Sequence, residues 1–205
     1  MSDGPKTSSE PRTTRGRATR ARIVERAAEL IAAHGVDATS MDDVRAAAGA
    51  SKSQLYHYFS DRDDLVEAAV ARRCALVLDE LTRTLGAVTT LAELERVLGE
   101  FVAFYEQHTM GCPIGTLASA VADRNEGARL RVAAAFDAWE RLFADGIQRI
   151  RERGELRAEA PPQTLATALL ASIEGGLLLS QTRRNAASLR IAVDAALRQI
   201  RAFAA

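Results

Sequence analysis

The stretch from Thr39 to Phe59, TSMDDVRAAAGASKSQLYHYF, constrains this chain more than any other. It reads as two short helices around a tight turn. Thr39 or Ser40 can cap the first helix, with Asp42 and Asp43 placed to close a reciprocal capping box. Met41, Val44 and Ala48 supply the apolar stripe, and Gly49 stands where a helix ends in a left-handed residue. Ser51 caps the second helix, with Gln54 at the reciprocal position. Leu55 and Phe59 are four residues apart and point to one side, which turns Ser53, Gln54, Tyr56 and His57 outward. Helix, glycine turn, helix is the helix-turn-helix pattern, whose second helix enters the DNA major groove. Taken alone, the two helices would also fit an ordinary helical hairpin.

The flanks decide between these. Residues 20–34 form an amphipathic helix with Ile23, Ala27, Leu30, Ile31 and His34 on one stripe, stopped by Gly35. Ser60 and Asp63 form a further capping box, opening a longer segment through Leu65, Ala69, Leu76 and Leu85. With the spacing G-x-x-x-T-S-M-x-D-V before the turn and L-Y-x-Y-F after it, residues 20–75 resemble the tetracycline-repressor (TetR) family of bacterial regulators. That resemblance implies an all-α, homodimeric repressor with a ligand-responsive C-terminal domain and about nine helices. It divides the chain into a disordered basic arm (1–19), a helix-turn-helix domain (20–66) and a regulatory domain (67–205).

The resemblance also distributes roles on the DNA-facing side. Tyr58 and the backbone from Ser60 to Arg62 fall where the family meets phosphate, with Arg62 replacing the usual lysine and keeping its charge. Thr39, Ser40, Ser51 and Lys52 are placed for further backbone contacts, which position a protein without reading sequence. Ser53, Gln54, Tyr56 and His57 are the candidate base readers. A Gln can pair with adenine, and Tyr56 can pack on a thymine methyl. The expected partner is palindromic double-stranded operator DNA.

Net charge is zero, so the whole surface cannot serve a polyanion. The positive charge is concentrated instead: residues 1–22 carry Lys6, Arg12, Arg15, Arg17, Arg20 and Arg22 against Asp3 and Glu10. This Ser-, Thr- and Gly-rich arm suits phosphate or minor-groove contact. It equally suits a solubilising tail.

Beyond residue 86 the sequence becomes a series of capped helices. Thr90 and Glu93 open one carrying Leu94, Val97, Leu98, Phe101, Phe104 and Tyr105; Pro113 starts a short one through Leu117 and Val121. Asn125 caps the longest, about 126–153, striped with Val132, Phe136, Trp139, Phe143, Ile147 and Ile150. Pro161 and Pro162 precede another, and the last begins near Ser188. In the family, the last two long helices form a four-helix bundle with their symmetry mates. Leu169, Gly176 and Ser180 on one, and Val193, Leu197 and Ile200 on the other, are the expected dimer contacts.

The effector site implied by the resemblance falls among these helices. Candidate lining residues are Phe101, Phe104, Tyr105, His108, Cys112, Phe136, Trp139, Phe143, Glu174 and Leu177. The aromatic stripe serves equally well as plain core. Glu174, in an otherwise apolar helix, needs a partner, a cationic ligand or a place at the dimer seam. Cys112 precedes Pro113 at a helix start, where backbone N–H groups favour thiolate. Some regulators of this type with a Cys-x-x-Gly segment here respond to electrophiles, so redox sensing through Cys112 is the alternative function; a buried structural cysteine is the bland one.

Other classes are disfavoured. His34, His57 and His108 lie in separate helical units, and no nucleophile elbow, P-loop or metal-ligand spacing occurs, so no enzyme, metal or cofactor is expected. No segment suggests a membrane span, no signal peptide is evident, and two cysteines are too few for a disulfide scaffold. A cytoplasmic protein is expected.

Overall fold

A computed structural model describes residues 13–108 and 110–205 of the chain. Among them are nine α-helices and no strands: α1 (Thr14–His34), α2 (Met41–Ala47), α3 (Lys52–Tyr58), α4 (Arg62–Leu85), α5 (Leu91–Gln107), α6 (Pro113–Val121), α7 (Glu126–Glu152), α8 (Pro162–Arg183) and α9 (Ala187–Arg201). The helices divide into two compact units. An N-terminal unit comprises residues up to Leu76 with Leu117–Ala133; a C-terminal unit comprises Val77–Thr116 and Ala134–Ala205. The chain passes from one unit to the other within α4, α6 and α7.

Most helix boundaries follow from local capping. Ser40 and Asp43, Ser51 and Gln54, and Thr90 and Glu93 each form the full reciprocal box. Asn125 Oδ1 accepts the Ala128 N–H at 2.8 Å. Two starts differ from expectation. The hydroxyl of Thr13 accepts the Gly16 N–H at 3.0 Å, so α1 begins at Thr14 and residues 14–19 are helical rather than part of an unstructured arm. Residues 1–12 of that arm lie outside the described residues. Before α4 the partner of Ser60 is Asp64, not Asp63. Helix α9 begins at Ala187, close to the expected Ser188, with Asn185 Oδ1 accepting the Ala187 N–H at 3.2 Å.

In the N-terminal unit, α1 to α3 and the start of α4 enclose Ile23, Ala27, Ile31, Val44, Leu55, Phe59, Leu65 and Ala69, all under 5% exposed. Each large aliphatic side chain buried this way contributes roughly 1.5–3 kcal/mol. Residues 117–133 close the unit with polar ties. Arg124 pairs with Asp37 at 2.5 Å, Asn125 Nδ2 donates to the Asp63 carbonyl at 3.0 Å, and Arg131 pairs with Glu67 at 3.0 Å.

The C-terminal unit is built on α5, α7, α8 and α9. Trp139, Phe143, Ile147 and Ile150 of α7 are buried, as are Leu94 and Leu98 of α5. Arg149 Nε donates to the Val88 carbonyl at 2.8 Å and Glu155 accepts the Leu91 N–H at 2.9 Å, which fixes the start of α5. Helices α8 and α9 form a hairpin, and an isolated bridge between Leu156 and Ala204 ties down the C-terminus. Helix α8 is long and apolar enough to cross a membrane by length and composition, contrary to expectation, with 44% of that window buried within the protomer. Its apolar residues serve the α8–α9 core instead, since Leu165, Leu169, Ile173 and Leu177 are each 2% exposed or less.

Candidate nucleic-acid interface and regulatory core

The turn between α2 and α3 is set by one glycine. Gly49 has φ +56°, and around it the N–H groups of Gly49 and Ala50 return to the carbonyls of Ala46 and Arg45 at 3.1 Å each. This double closure ends α2 in a left-handed residue that only glycine adopts without cost. Ser51 follows at once as the cap of α3. Leu55, Tyr58 and Phe59 then anchor α3 to the core, at 1%, 8% and 1% exposure. Lys52, Ser53, Gln54, Tyr56 and His57 consequently stand on the open side.

These side chains form one chemically mixed surface. The Lys52 ammonium lies 6.0 Å from the Tyr56 ring, and His57 meets Tyr58 edge-on at 4.9 Å. Gln54 is already employed: its Oε1 accepts the Ser51 N–H at 2.9 Å, leaving its amide N–H groups to be shared outward. Arg15, Arg17 and Arg22 stand exposed on the first turns of α1. Thr13 was the sequence signal that these arginines sit on an ordered helix.

Three residues assigned to phosphate face inward: Tyr58, packed against the core, together with Thr39 and Arg62. Thr39 is 6% exposed and its hydroxyl donates to the Gly35 carbonyl at 2.9 Å. The Arg62 guanidinium donates to the carbonyls of Val36, at 2.5 Å, and Thr39, at 3.3 Å. Both close the loop between α1 and α2, where backbone carbonyls would otherwise lack donors. Arg62→Ala is therefore expected to lower stability by about 1–3 kcal/mol, read in a denaturant melt, before any effect on DNA. An unchanged melt with weakened operator binding would return Arg62 to the phosphate role.

In the C-terminal unit the expected dimer residues are also redirected. Leu169, Gly176, Ser180, Val193, Leu197 and Ile200 are all buried within the single protomer. A Cβ on Gly176 would fall 2.8 Å from Leu189 Cα, so the glycine lets α8 and α9 approach. Ser180 Oγ accepts the Leu189 N–H at 3.1 Å, satisfying an open donor at the start of α9. What the hairpin leaves outside is different: Leu178, Leu179 and Ile191 are 64%, 45% and 66% exposed.

The expected effector residues split by burial. Cys112, Trp139, Phe143 and Leu177 are buried, Phe101, Tyr105, Phe136 and Glu174 are half-buried, and Phe104 and His108 are exposed. Phe101, Tyr105, Phe104 and His108 form a continuous ladder along α5, ending in Phe104 stacked on His108 at 4.4 Å. Gly111 was not singled out from sequence, and Gly115 only as the glycine of the Cys-x-x-Gly segment. They make room for polar side chains of α8, since a Cβ on either would collide with Gln181 or Glu174.

Cys112 does sit at the start of α6, where its sulfur accepts the Gly115 N–H at 3.3 Å. Burial nevertheless pushes the thiol well above its ordinary range, and the Glu174 charge pushes it further. The expected thiolate is thus overruled by desolvation, which outweighs one helix terminus. Cys74 is likewise raised to about 11 by burial. Among the described residues no group of three or more His, Cys, Asp or Glu could hold a metal ion.

Comparison with known proteins agrees with this architecture. Residues 23–69 match the model of bacterial regulatory proteins of the tetR family, and residues 91–195 match the C-terminal domain of LmrA/YxaF-like transcriptional regulators. The chain is 30% identical over 202 residues to the uncharacterized HTH-type regulator Rv0196 of Mycobacterium tuberculosis, covering 89% of this chain and 92% of that protein. It is 25% identical over 170 residues to the HTH-type transcriptional repressor DhaR of Mycobacterium sp. strain GP1, covering 81% and 84%. The crystal structure of a TetR-family regulator from Cytophaga hutchinsonii superposes with a TM-score of 0.79 at 20% identity, over 95% of this chain and 98% of that one. A capped helix-turn-helix followed by a matching helical C-terminal domain makes this chain a member of the TetR family of DNA-binding transcriptional regulators.

Proposed function

We propose that the protein is a cytoplasmic repressor that binds a palindromic operator as a homodimer and is released by a small hydrophobic effector held in its C-terminal unit. The observation that carries this reading is the open face of α3, uncharged but for Lys52, on a frame fixed by caps at both of its ends. The name of the relative DhaR supports repression in particular.

Pairing of two recognition helices needs a seam. Leu178 and Leu179 of α8 and Ile191 of α9 replace the six buried residues in that role, because apolar surface this exposed is costly in a lone protomer. Helix-turn-helix dimers read half-sites one helical turn apart, roughly 34–36 Å. The effector candidates that are buried or half-buried are Phe101, Tyr105, Cys112, Phe136, Trp139, Phe143, Glu174 and Leu177. Burial of the Cys112 thiol disfavours electrophile sensing.

The reading is tested by fluorescence anisotropy against the DNA upstream of the protein's own gene, with a salt titration. Lys52→Ala is expected to weaken binding to all sequences alike and to lower the salt slope by about one. Gln54→Ala is expected to relax preference at one or two base pairs, costing about 1–3 kcal/mol for the right operator. Ser51→Ala, which removes the cap alone, should leave preference intact. If both variants lower stability without altering preference, Gln54 is only a cap.

A further inference from the structure

Tyr105 of α5, Cys112 before α6 and Glu174 of α8 form a cluster that the DNA-facing surface does not use. Cys112 and the Glu174 carboxylate meet beside Gly115, where burial and the carboxylate charge both raise the cost of charging the Cys112 thiol. Gly115 admits the carboxylate to this position, since a Cβ there would lie 2.5 Å from Glu174 Oε2 and 3.3 Å from Cys112 Cβ. One carboxylate oxygen, Oε2, thus lies at the turn. The other, Oε1, is buried with no hydrogen-bond partner. The titratable groups that face it are Tyr105 and Cys112, and neither is a cation.

A carboxyl with an oxygen buried and unpartnered is costly in both of its forms. Ionised, it lacks a counter-charge; protonated on Oε1, it leaves a donor unpaired. Burial accordingly holds the Glu174 carboxyl above its ordinary value of 4.5. Beside it the Tyr105 ring packs against Phe101 at 4.8 Å and Phe104 at 5.3 Å, so aromatic surface adjoins the acid. Elsewhere in the same unit, Trp139 Nε1 is also buried without a partner. A basic nitrogen on an apolar body suits the open Oε1 and the aromatic surface beside it, because the ammonium completes the carboxylate and its carbons meet aromatic faces.

We propose that Glu174 Oε1 anchors the protonated nitrogen of a lipophilic amine, making such amines the effector class of this regulator. The inference rests on the reading of the C-terminal unit as the effector domain. When the carboxyl is protonated, binding of the ammonium breaks its O–H bond and the proton leaves to solvent; nothing is oxidised or reduced. Amine affinity therefore falls as pH drops through the raised Glu174 value, where a proton must be displaced.

Calorimetry with three probes tests this: N,N-dimethyl-1-naphthylmethylamine, its carbon isostere 1-isobutylnaphthalene, and 1-naphthylacetic acid. The amine is expected to bind at least about 10-fold tighter than the isostere, a difference of about 1.4 kcal/mol. Glu174→Gln is expected to erase that difference while leaving the isostere unchanged. In the wild type, lowering the pH from about 8 to about 5 should weaken only the amine, with proton release read from heats in buffers of different ionisation enthalpy. These wild-type measurements decide the matter even if Glu174→Gln fails to fold. Isostere or acid binding as tightly as the amine would overturn the amine assignment and leave the effector domain standing. Binding of none of the three to folded protein would overturn the assignment and count against the effector domain as well.

Discussion

Leu178→Asp combined with Ile191→Asp is expected to yield a folded monomer of 22.1 kDa by light scattering, with operator affinity reduced by at least about 100-fold. Both side chains are about two-thirds exposed in the protomer, so a charge there costs the single chain little. In a dimer seam the same charges would face their own symmetry mates in an apolar surface, unpaired. Leu197→Asp is expected to behave oppositely. Leu197 is 5% exposed on α9, and an unpaired carboxylate there should cost several kcal/mol of protomer stability. A thermal melt separates the two: the double variant keeps its cooperative transition, and Leu197→Asp loses it or shifts it far down. A dimeric Leu178→Asp/Ile191→Asp protein would place the seam on another face.

Gly176→Val is expected to lower stability by about 1–3 kcal/mol or more, because the added carbons meet backbone rather than a mobile side chain. A Cβ alone would lie 2.8 Å from Leu189 Cα and 3.3 Å from Ala192 Cβ. The helices must part to admit it, and parting them also stretches the bond from the Leu189 N–H to Ser180 Oγ. For a chain of this size each kcal/mol lowers Tm by roughly 2–4 °C. Gly99→Ala is the control, since nothing lies within 4 Å of a Cβ at that exposed site of α5. That change is expected to stabilise the helix by up to about 1 kcal/mol. Equal effects from the two substitutions would mean that helix propensity, not the α8–α9 approach, explains Gly176.

What could be read without coordinates was what three or four neighbouring residues settle among themselves. The boxes at Ser40, Ser51 and Thr90 close over three residues, and Gly49 ends α2 through its own backbone. The alternation of Leu55 and Phe59 with polar neighbours likewise left one orientation for α3. Where the pattern was weaker, the reading slipped. Thr13 went unnoticed as a cap because its helix begins in a run of arginines without an apolar stripe.

Tertiary structure decided the choices among chemically equivalent partners. Helix α8 is apolar on nearly every side, so periodicity could not say that Leu169, Gly176 and Leu177 are buried while Leu178 and Leu179 face outward. Arg62 has the charge a phosphate wants, yet the carbonyls of Val36 and Thr39, 26 and 23 residues away, are already within its reach. Cys112 stands at a helix start as its sequence promised, but the burial that keeps its thiol protonated comes from packing in the C-terminal unit and from Glu174, 62 positions along the chain. Capping and turn geometry are short-range and so belong to the sequence; burial and the partner of a charge depend on distant segments, and only the folded chain assigns them.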